Sequence, residues 1–551
     1  MLGLDTVDWT VVVVYLLGIT ALGVWSKRAV HDREDFLLGG RRFGKAMMVM
    51  HAFGTGTHTD QAAAVVSRSY AHGVSGIWAQ WNWMMVTPFY WLLAPLLRRS
   101  RVLTIADWYE ERYGPSVGIL AVIVSSIGSI FAIGTMLLGT SRTVQGLLAI
   151  DPALDVLRLP FGLVVPDASF NVSLFVMTAL FLLYGAFGGI VGAVRTDFVQ
   201  GFMIIILSGL ALPFAFHGIG GMSGVARGVP DGFLNLTGER FSLVFIGALT
   251  ITSLFSIVSQ SHIISVTSAG RTEWEGRVGM TYGNFLKRLC TIAWCLLGVV
   301  WLVRAPGLAN PDAAFGDAVS KLLPLGLRGL MLASIMAAAM STCDSMMVAV
   351  SGLCTETVYR RHIRRDAPEA HYLNVARVIS AIVVIGAIIF AYSVTDIFQG
   401  LTSFWKVTAT MGIAFWLGVL WRRSTTAGAW ASFLAAAAAW FVALRVLGWS
   451  EGQQMALYIP VGILAGIVVS LVTPAPNRAS LDRFFTKIHT PIGHDDKLGL
   501  SFDEAVPPHA RLIDAAGILV CKPSRQSWLG FVVAWLIVGI LVGGMWLIVR
   551  V

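Results

Sequence analysis

The chain has 551 residues, of which 56% are apolar and only 13% charged, and its mean hydropathy is +0.73. A soluble domain carries roughly twice that share of charge, so the composition excludes a soluble globular protein and points to a single membrane domain. The net charge of +9 would suit a nucleic-acid binder, but the basic residues sit in short segments between apolar runs, as in the cytoplasmic connections of a membrane protein.

Met1 to Asp8 carries no basic residue, which argues against a secretory signal, and Val11 to Trp25 reads as a retained span. Apolar runs of about 20 residues, the length that crosses the hydrocarbon core, then recur along the chain. They predict an all-α membrane protein of about fourteen transmembrane helices: 6–26, 46–66, 74–97, 116–146, 170–192, 196–218, 241–262, 280–303, 326–353, 374–395, 398–420, 426–447, 453–473 and 527–549. Every second connection is basic. Lys27, Arg28, Arg33, Arg41, Arg42 and Lys45 fill the first; Arg98, Arg99 and Arg101 follow the third span, and Arg195 the fifth. Arg271, Arg277, Lys287 and Arg288 lie around the connection before the eighth span, Arg360 to Arg365 follow the ninth, and Arg422 and Arg423 the eleventh. That alternation predicts a multi-pass protein of the plasma (inner) membrane with both termini outside. The cysteines, Cys290, Cys295, Cys343, Cys354 and Cys521, fall in spans or cytoplasmic segments and form no CxxC pair, so neither an extracellular disulfide framework nor a cysteine metal site is expected.

Two spans contain what a lipid-facing helix does not carry: His51-Ala52-Phe53-Gly54-Thr55-Gly56-Thr57-His58-Thr59-Asp60-Gln61, and Ser253 to His262 with Ser256, Ser259, Gln260 and Ser261. Unwound backbone at membrane depth is tolerated only where it lines protein or a cavity. Interruptions at matching places in two halves mark the substrate site of inverted-repeat transporters. They open runs of five spans each, predicting a five-plus-five inverted-repeat core of 46–218 and 241–420. Residues 1–45 then form a first span and its connection. Residues 421–551 supply accessory spans, with a polar cytoplasmic connection near 474–526. His489, His494, Asp495 and Asp496 in that connection read as a solvated loop, lacking the i,i+4 spacing of a metal site.

The sharpest motif is Ala337 to Ser345. Ser341 and Thr342 place two adjacent hydroxyls mid-helix, with the Ala338 carbonyl one turn earlier, and a small hard cation takes oxygen ligands. Ala337 to Ser345, followed by Thr355-Glu356-Thr357-Val358-Tyr359, resembles the sodium:solute symporter family. So do Asp35 to Arg41, Tyr109-Glu110-Glu111-Arg112-Tyr113-Gly114, Arg195-Thr196-Asp197-Phe198-Val199-Gln200-Gly201 and Ser259-Gln260-Ser261-His262-Ile263, all in family order. The resemblance implies a sodium-coupled symporter whose sodium is held by the carbonyls of Gly54, Thr57 and Ala338 and the hydroxyls of Ser341 and Thr342. It points to Asp197, Asp344 and Ser345 as the place where some members hold a second ion; here Asp344 replaces a hydroxyl.

The resemblance also informs the solute. Proline-type members carry aromatics at the positions of Ser253 and Ile257, which this chain lacks, so proline is not expected. Asp60, Gln61, Gln80, Arg142, Ser253, Gln260 and Lys406 are the candidate solute-binding residues. Arg142 and Lys406 either snorkel at helix ends or face the pocket, where they would favour a carboxylate. Asp60 either partners a nearby donor such as His58 or Arg142, or contacts solute or ion. The first expectation is a small organic acid or amino acid, the second a sugar or polyol. A transporter-like solute sensor is the rival of another class, disfavoured because no signalling domain follows the last span. No HExxH signature or nucleophile context suggests an enzyme. The expected partners are the solute, sodium as coupling ion and the lipid bilayer. No further cofactor, nucleic acid or obligatory protein partner is expected.

Overall fold

The computed structural model describes residues 4–26, 41–148, 156–158, 164–185 and 189–550; within helices, the side chains of Ser341 and Asp344 also lie outside what is described. The basic residues Lys27 to Arg33 and the segment Asp35 to Gly40 fall outside it as well. The longer helices, numbered in chain order, are α1 (Thr6–Ser26), α2 (Lys45–Gly56), α3 (Thr59–His72), α4 (Trp78–Arg99), α5 (Ile105–Tyr113), α6 (Pro115–Leu148), α7 (Ala168–Gly185), α8 (Gly189–Gly209), α9 (Leu243–Ser256), α10 (Ile263–Ser268), α11 (Glu273–Arg304), α12 (Leu327–Leu353), α13 (Glu369–Ser393), α14 (Ile397–Leu420), α15 (Thr426–Phe441), α16 (Glu451–Val472), α17 (Arg478–His489) and α18 (Arg525–Ile548). Among the described residues, nine helices are long and apolar enough to cross a membrane, and shorter apolar helices lie at Thr6–Leu22, Ala168–Ala179 and Leu243–Ser259. That is fewer than the fourteen runs in the sequence. Two of those runs are each broken into two short helices, and α4 carries Gln80, Asn82 and four tryptophans that lower its hydropathy.

The first break separates α2 from α3. Thr57 (φ −126°, ψ 110°) and His58 (φ −125°, ψ 166°) are extended, which orphans the last carbonyls of α2. They find partners inside the protein. Thr57 N–H donates to Gly54 O at 3.2 Å, Thr342 Oγ1 to Thr55 O at 3.3 Å, and Lys287 Nζ to Gly56 O. The second break runs from the end of α9, through a 3₁₀ turn at Ile257–Ser259, to α10. Hydroxyls satisfy it: Ser125 Oγ donates to Ser259 O at 3.0 Å, Tyr109 OH meets Ser259 Oγ at 2.8 Å, and Ser256 Oγ meets Thr408 Oγ1 at 2.7 Å. Helix α11 lies along α2, α3 and α4. A Cβ on Gly283 of α11 would stand 2.7 Å from Val49 O, and one on Gly139 of α6 2.6 Å from Asp60 Cα. Only glycine lets these helices come so close to the broken pair.

At one end of the bundle the basic connections meet. Arg361, beyond α12, bonds Glu110 at 2.6 Å and Asp107 at 2.9 Å on α5. Residues 474–526 fold back there as α17 and a hairpin of β3 (Arg511–Ala515) with β4 (Ile518–Cys521); β1 (Val156–Arg158) and β2 (Val164–Pro166) form a second small hairpin after α6. Lys487 grips Glu111 at 2.6 Å, Asp495 pairs with Arg101 at 2.6 Å, Asp482 with Arg422, and Ile492 N–H reaches Glu273 at 2.9 Å. The segment expected as a solvated loop is thus a docked unit.

His489 makes that docking pH-sensitive. Its ring stacks on Phe485, with centroids 6.2 Å apart, and Nδ1 donates to Phe485 O at 2.8 Å. Burial, with Arg99 and Arg422 nearby, pushes its pKa from 6.5 down to about 4. The undocked segment takes a proton as pH falls below 6.5 and the docked one does not until about 4. Docking is therefore strongest above pH 6.5 and weakens between there and pH 4. Labelling of Cys521 by a thiol reagent, corrected for intrinsic thiol reactivity, should rise through that window, and His489→Phe should flatten the rise. An unaltered profile in His489→Phe would exclude His489 as its cause.

Candidate functional site

The two breaks face one cavity of about 60 Å³, lined from the first by Gly56, His58 and Gln61, from the second by Ile257, Gln260, His262 and Ile263, and from α11 by Asn284, Lys287 and Arg288. Trp83, Tyr90, Phe404 and Trp405 complete its walls with aromatic rings. Among the described residues no carboxylate lines it.

One layer behind the wall, His58 Nδ1 lies 3.0 Å from Asp60 Oδ1, and its Nε2 lies 3.5 Å from Gln61 Nε2. A single neutral tautomer satisfies both contacts: Nδ1–H donates to the carboxylate and Nε2 accepts from the amide. Asp60 is 1% exposed and its Oδ2 has no hydrogen-bond partner. Lys287, also buried, is close enough to attract it electrostatically. Asp60→Asn keeps an acceptor for His58 but removes the charge. It should weaken solute or sodium affinity strongly at normal expression; unchanged kinetics for both would remove Asp60 from the site.

Helix α12 runs across the first break. Thr59 Oγ1 donates to Ile335 O at 2.7 Å, and Thr342 Oγ1 to Thr55 O. Ala338, buried, lies one turn from each contact and on the same face. Gly54, Thr57, Ala338 and Thr342 are thus gathered where α2 ends, and Thr57 Oγ1 is buried with no hydrogen-bond partner. Asp197 of α8 takes His51 Nδ1 at 2.8 Å and Thr55 Oγ1 at 3.0 Å on one oxygen, tying α8 to the last turns of α2. Ser345 is buried on α12.

The remaining candidates divide. Gln61 and Gln260 line the cavity; Gln80, Ser253, Arg142 and Lys406 do not. Ser253 Oγ accepts from Asn82 at 2.7 Å, and the backbone oxygen of Gln80 takes Arg288 Nη1 at 2.5 Å. Arg142 bonds Gln145 at 2.8 Å and lies over Phe170. Lys406 points at α16, where it donates to Gln454 at 3.3 Å and approaches Glu451 at 3.9 Å. The basic residues that do reach the cavity are Lys287 and Arg288, which the charge alternation had grouped around the cytoplasmic connection before the eighth span. They sit mid-way along the 32 residues of α11. The signal was the capping box Thr272-Glu273-Trp274-Glu275, which starts the helix well before Lys287.

The sequence profile described as the sodium:solute symporter family matches residues 36–436. The chain belongs to this family. Among its relatives, the osmoregulated proline transporter OpuE of Bacillus subtilis is 25% identical over 497 residues, covering 86% of this chain and 96% of that one. The sodium/glucose cotransporter of Vibrio parahaemolyticus is 24% identical over 571 residues, covering 94% and 97%. The structure of a Na⁺-coupled sialic acid symporter superposes with a TM-score of 0.71 at 17% identity, over 86% of this chain and 99% of that one. At that identity the likeness establishes the shared fold. This member of the family is accordingly a multi-pass membrane transporter that couples solute movement to sodium, not an enzyme.

Proposed function

We propose that this symporter imports a small organic acid or amino acid with sodium, and that Lys287 meets the solute carboxylate. The observation that carries this reading is a buried lysine, Lys287, at the meeting point of both breaks, with His58 and His262 beside it and no carboxylate in the cavity wall among the described residues. Lys287 rests on the Gly56 carbonyl, a neutral partner that a carboxylate would displace, turning the contact into an ion pair. At about 60 Å³ the cavity is far smaller than the few hundred Å³ of a usual ligand pocket, so solute binding must part the surrounding helices.

The sodium reading rests on Gly54, Thr57, Ala338, Ser341 and Thr342, supported by the convergence of α12 on the end of α2. Asp197, Asp344 and Ser345 remain the proposed neighbourhood of a second ion. The five-plus-five repeat is supported by the paired breaks, one at the start of each half, which face each other across the cavity. Both termini outside is supported by the gathering of Arg101, Arg361 and Arg422 at one end of the bundle. Cysteines introduced at 27–45 or 360–365 should resist an impermeant thiol reagent in intact cells, and ready labelling from outside would reverse the orientation.

A sugar or polyol is the second reading, favoured by the amides of Gln61, Gln260 and Asn284 and the rings of Trp83 and Trp405 in the same wall. An uptake screen of carboxylates, amino acids and sugars in sealed vesicles, with and without a sodium gradient, separates the two. Potential dependence refines the result. One sodium with a monovalent carboxylate moves no net charge, whereas with a zwitterion or sugar it gains about 2.3 kcal/mol per 100 mV. Sodium-driven uptake of sugars alone would displace the carboxylate reading.

A further inference from the structure

Helix α1 lies outside residues 36–436, which match the family profile, yet it is fastened to the helix proposed to carry the sodium ligands. Asp8 of α1 is fully buried. Its Oδ1 accepts from Gly326 N–H and Gly329 N–H, both at 2.8 Å, and its Oδ2 from Asp5 N–H at 3.3 Å. Gly326 is the N-cap of α12 and has no side chain to cap with. The capping carboxylate therefore comes from another helix, and it also meets the positive end of the α12 dipole. The contact is tight: a Cβ on Gly329 would stand 2.3 Å from the Asp8 carbonyl oxygen. Further along α1, Tyr15 OH accepts from Gln200 of α8 at 3.3 Å, and α8 holds the last turns of α2 through Asp197. One peripheral helix thus grips both α12 and α8, the two helices that bond to residues beside the first break.

We propose that Asp8 is a positioning residue for sodium coupling: by capping α12 it sets the axial position of Ala338, Ser341 and Thr342 against the carbonyls of α2. Thr342 is about 20 Å along the axis from Gly329, and a continuous helix carries an axial shift over that distance undiminished. The inference rests on the sodium-site reading above.

The test is sodium-driven uptake at fixed membrane abundance, with the half-saturating sodium concentration measured separately from the solute KM at saturating sodium. Asp8→Ala should raise the half-saturating sodium concentration about five- to tenfold and leave the solute KM within about twofold. Gly329→Ala keeps the carboxylate but displaces it, and should do the same, so the reading survives if Asp8→Ala accumulates poorly. Asp8→Asn retains an oxygen that accepts both N–H groups and should recover most of the sodium affinity. An unchanged half-saturating sodium concentration in both Asp8→Ala and Gly329→Ala, while alanine at Ser341 and Thr342 abolishes sodium dependence, overturns the inference and leaves the site standing. If alanine at Ser341 and Thr342 changes nothing, the site reading itself fails.

Discussion

Replacing both Ser341 and Thr342 with alanine should abolish sodium-driven uptake, or raise the half-saturating sodium concentration at least tenfold, while the protein still inserts. Alanine preserves helix propensity, so α12 itself is not put at risk. The substitution removes two hydroxyl oxygens from a helix that already touches the first break through Thr342 and Thr55, and through Ile335 and Thr59. A tenfold loss corresponds to about 1.4 kcal/mol, the order expected for oxygen ligands of a cation. The Thr342–Thr55 bond is itself one link between α12 and α2, so part of the loss comes from looser packing of the two helices. Thr342→Ser keeps the oxygen and should retain most sodium affinity. Unchanged sodium dependence in the double variant would rule out this site.

Lys287→Gln should raise the solute KM by about tenfold to a hundredfold. A bond to a charged group contributes about 1.5–3 kcal/mol, and glutamine keeps a donor of similar reach without the charge. The half-saturating sodium concentration should move much less, because Lys287 meets Gly56 O rather than the carbonyls of Gly54, Thr57 or Ala338. Lys287→Arg keeps a cation but replaces a compact point charge with a broad planar fork that cannot take the same place on the Gly56 carbonyl, so it should recover little. A Lys287→Gln variant that transports its solute with native kinetics would remove the carboxylate contact from the account.

The interruptions were legible in the sequence because glycines and polar groups cannot sit inside a lipid-facing helix without a local reason. His51 to Gln61 and Ser253 to His262 both fold as broken segments. The placement of Thr342 beside the end of α2 followed from the family resemblance, not from the Ser-Thr pair alone. Helix faces were not legible. Trp405 lines the cavity while its neighbour Lys406, rotated by about 100°, points at Gln454 and Glu451. Nothing in the sequence around Lys406 distinguishes those two directions. The depth of Lys287 and Arg288 was hidden for a different reason: a basic pair near an apolar run looks like a membrane boundary, and only the capping box that begins at Thr272 shows the helix already well under way. The docked unit at 474–526 was hidden because its ion pairs join residues hundreds of positions apart, such as Arg101 with Asp495 and Glu111 with Lys487.

On the proposed reading, sodium entering through the site at the first break drives the solute. The direct measurement is uptake of the solute identified by the vesicle screen into liposomes containing only this protein and an imposed inward sodium gradient. A tenfold gradient supplies about 1.4 kcal/mol per ion, so the solute should rise transiently above its equilibrium level, by up to about tenfold in the electroneutral case. That overshoot should collapse with a sodium ionophore and be absent when potassium replaces sodium. Equal accumulation in potassium would contradict the account.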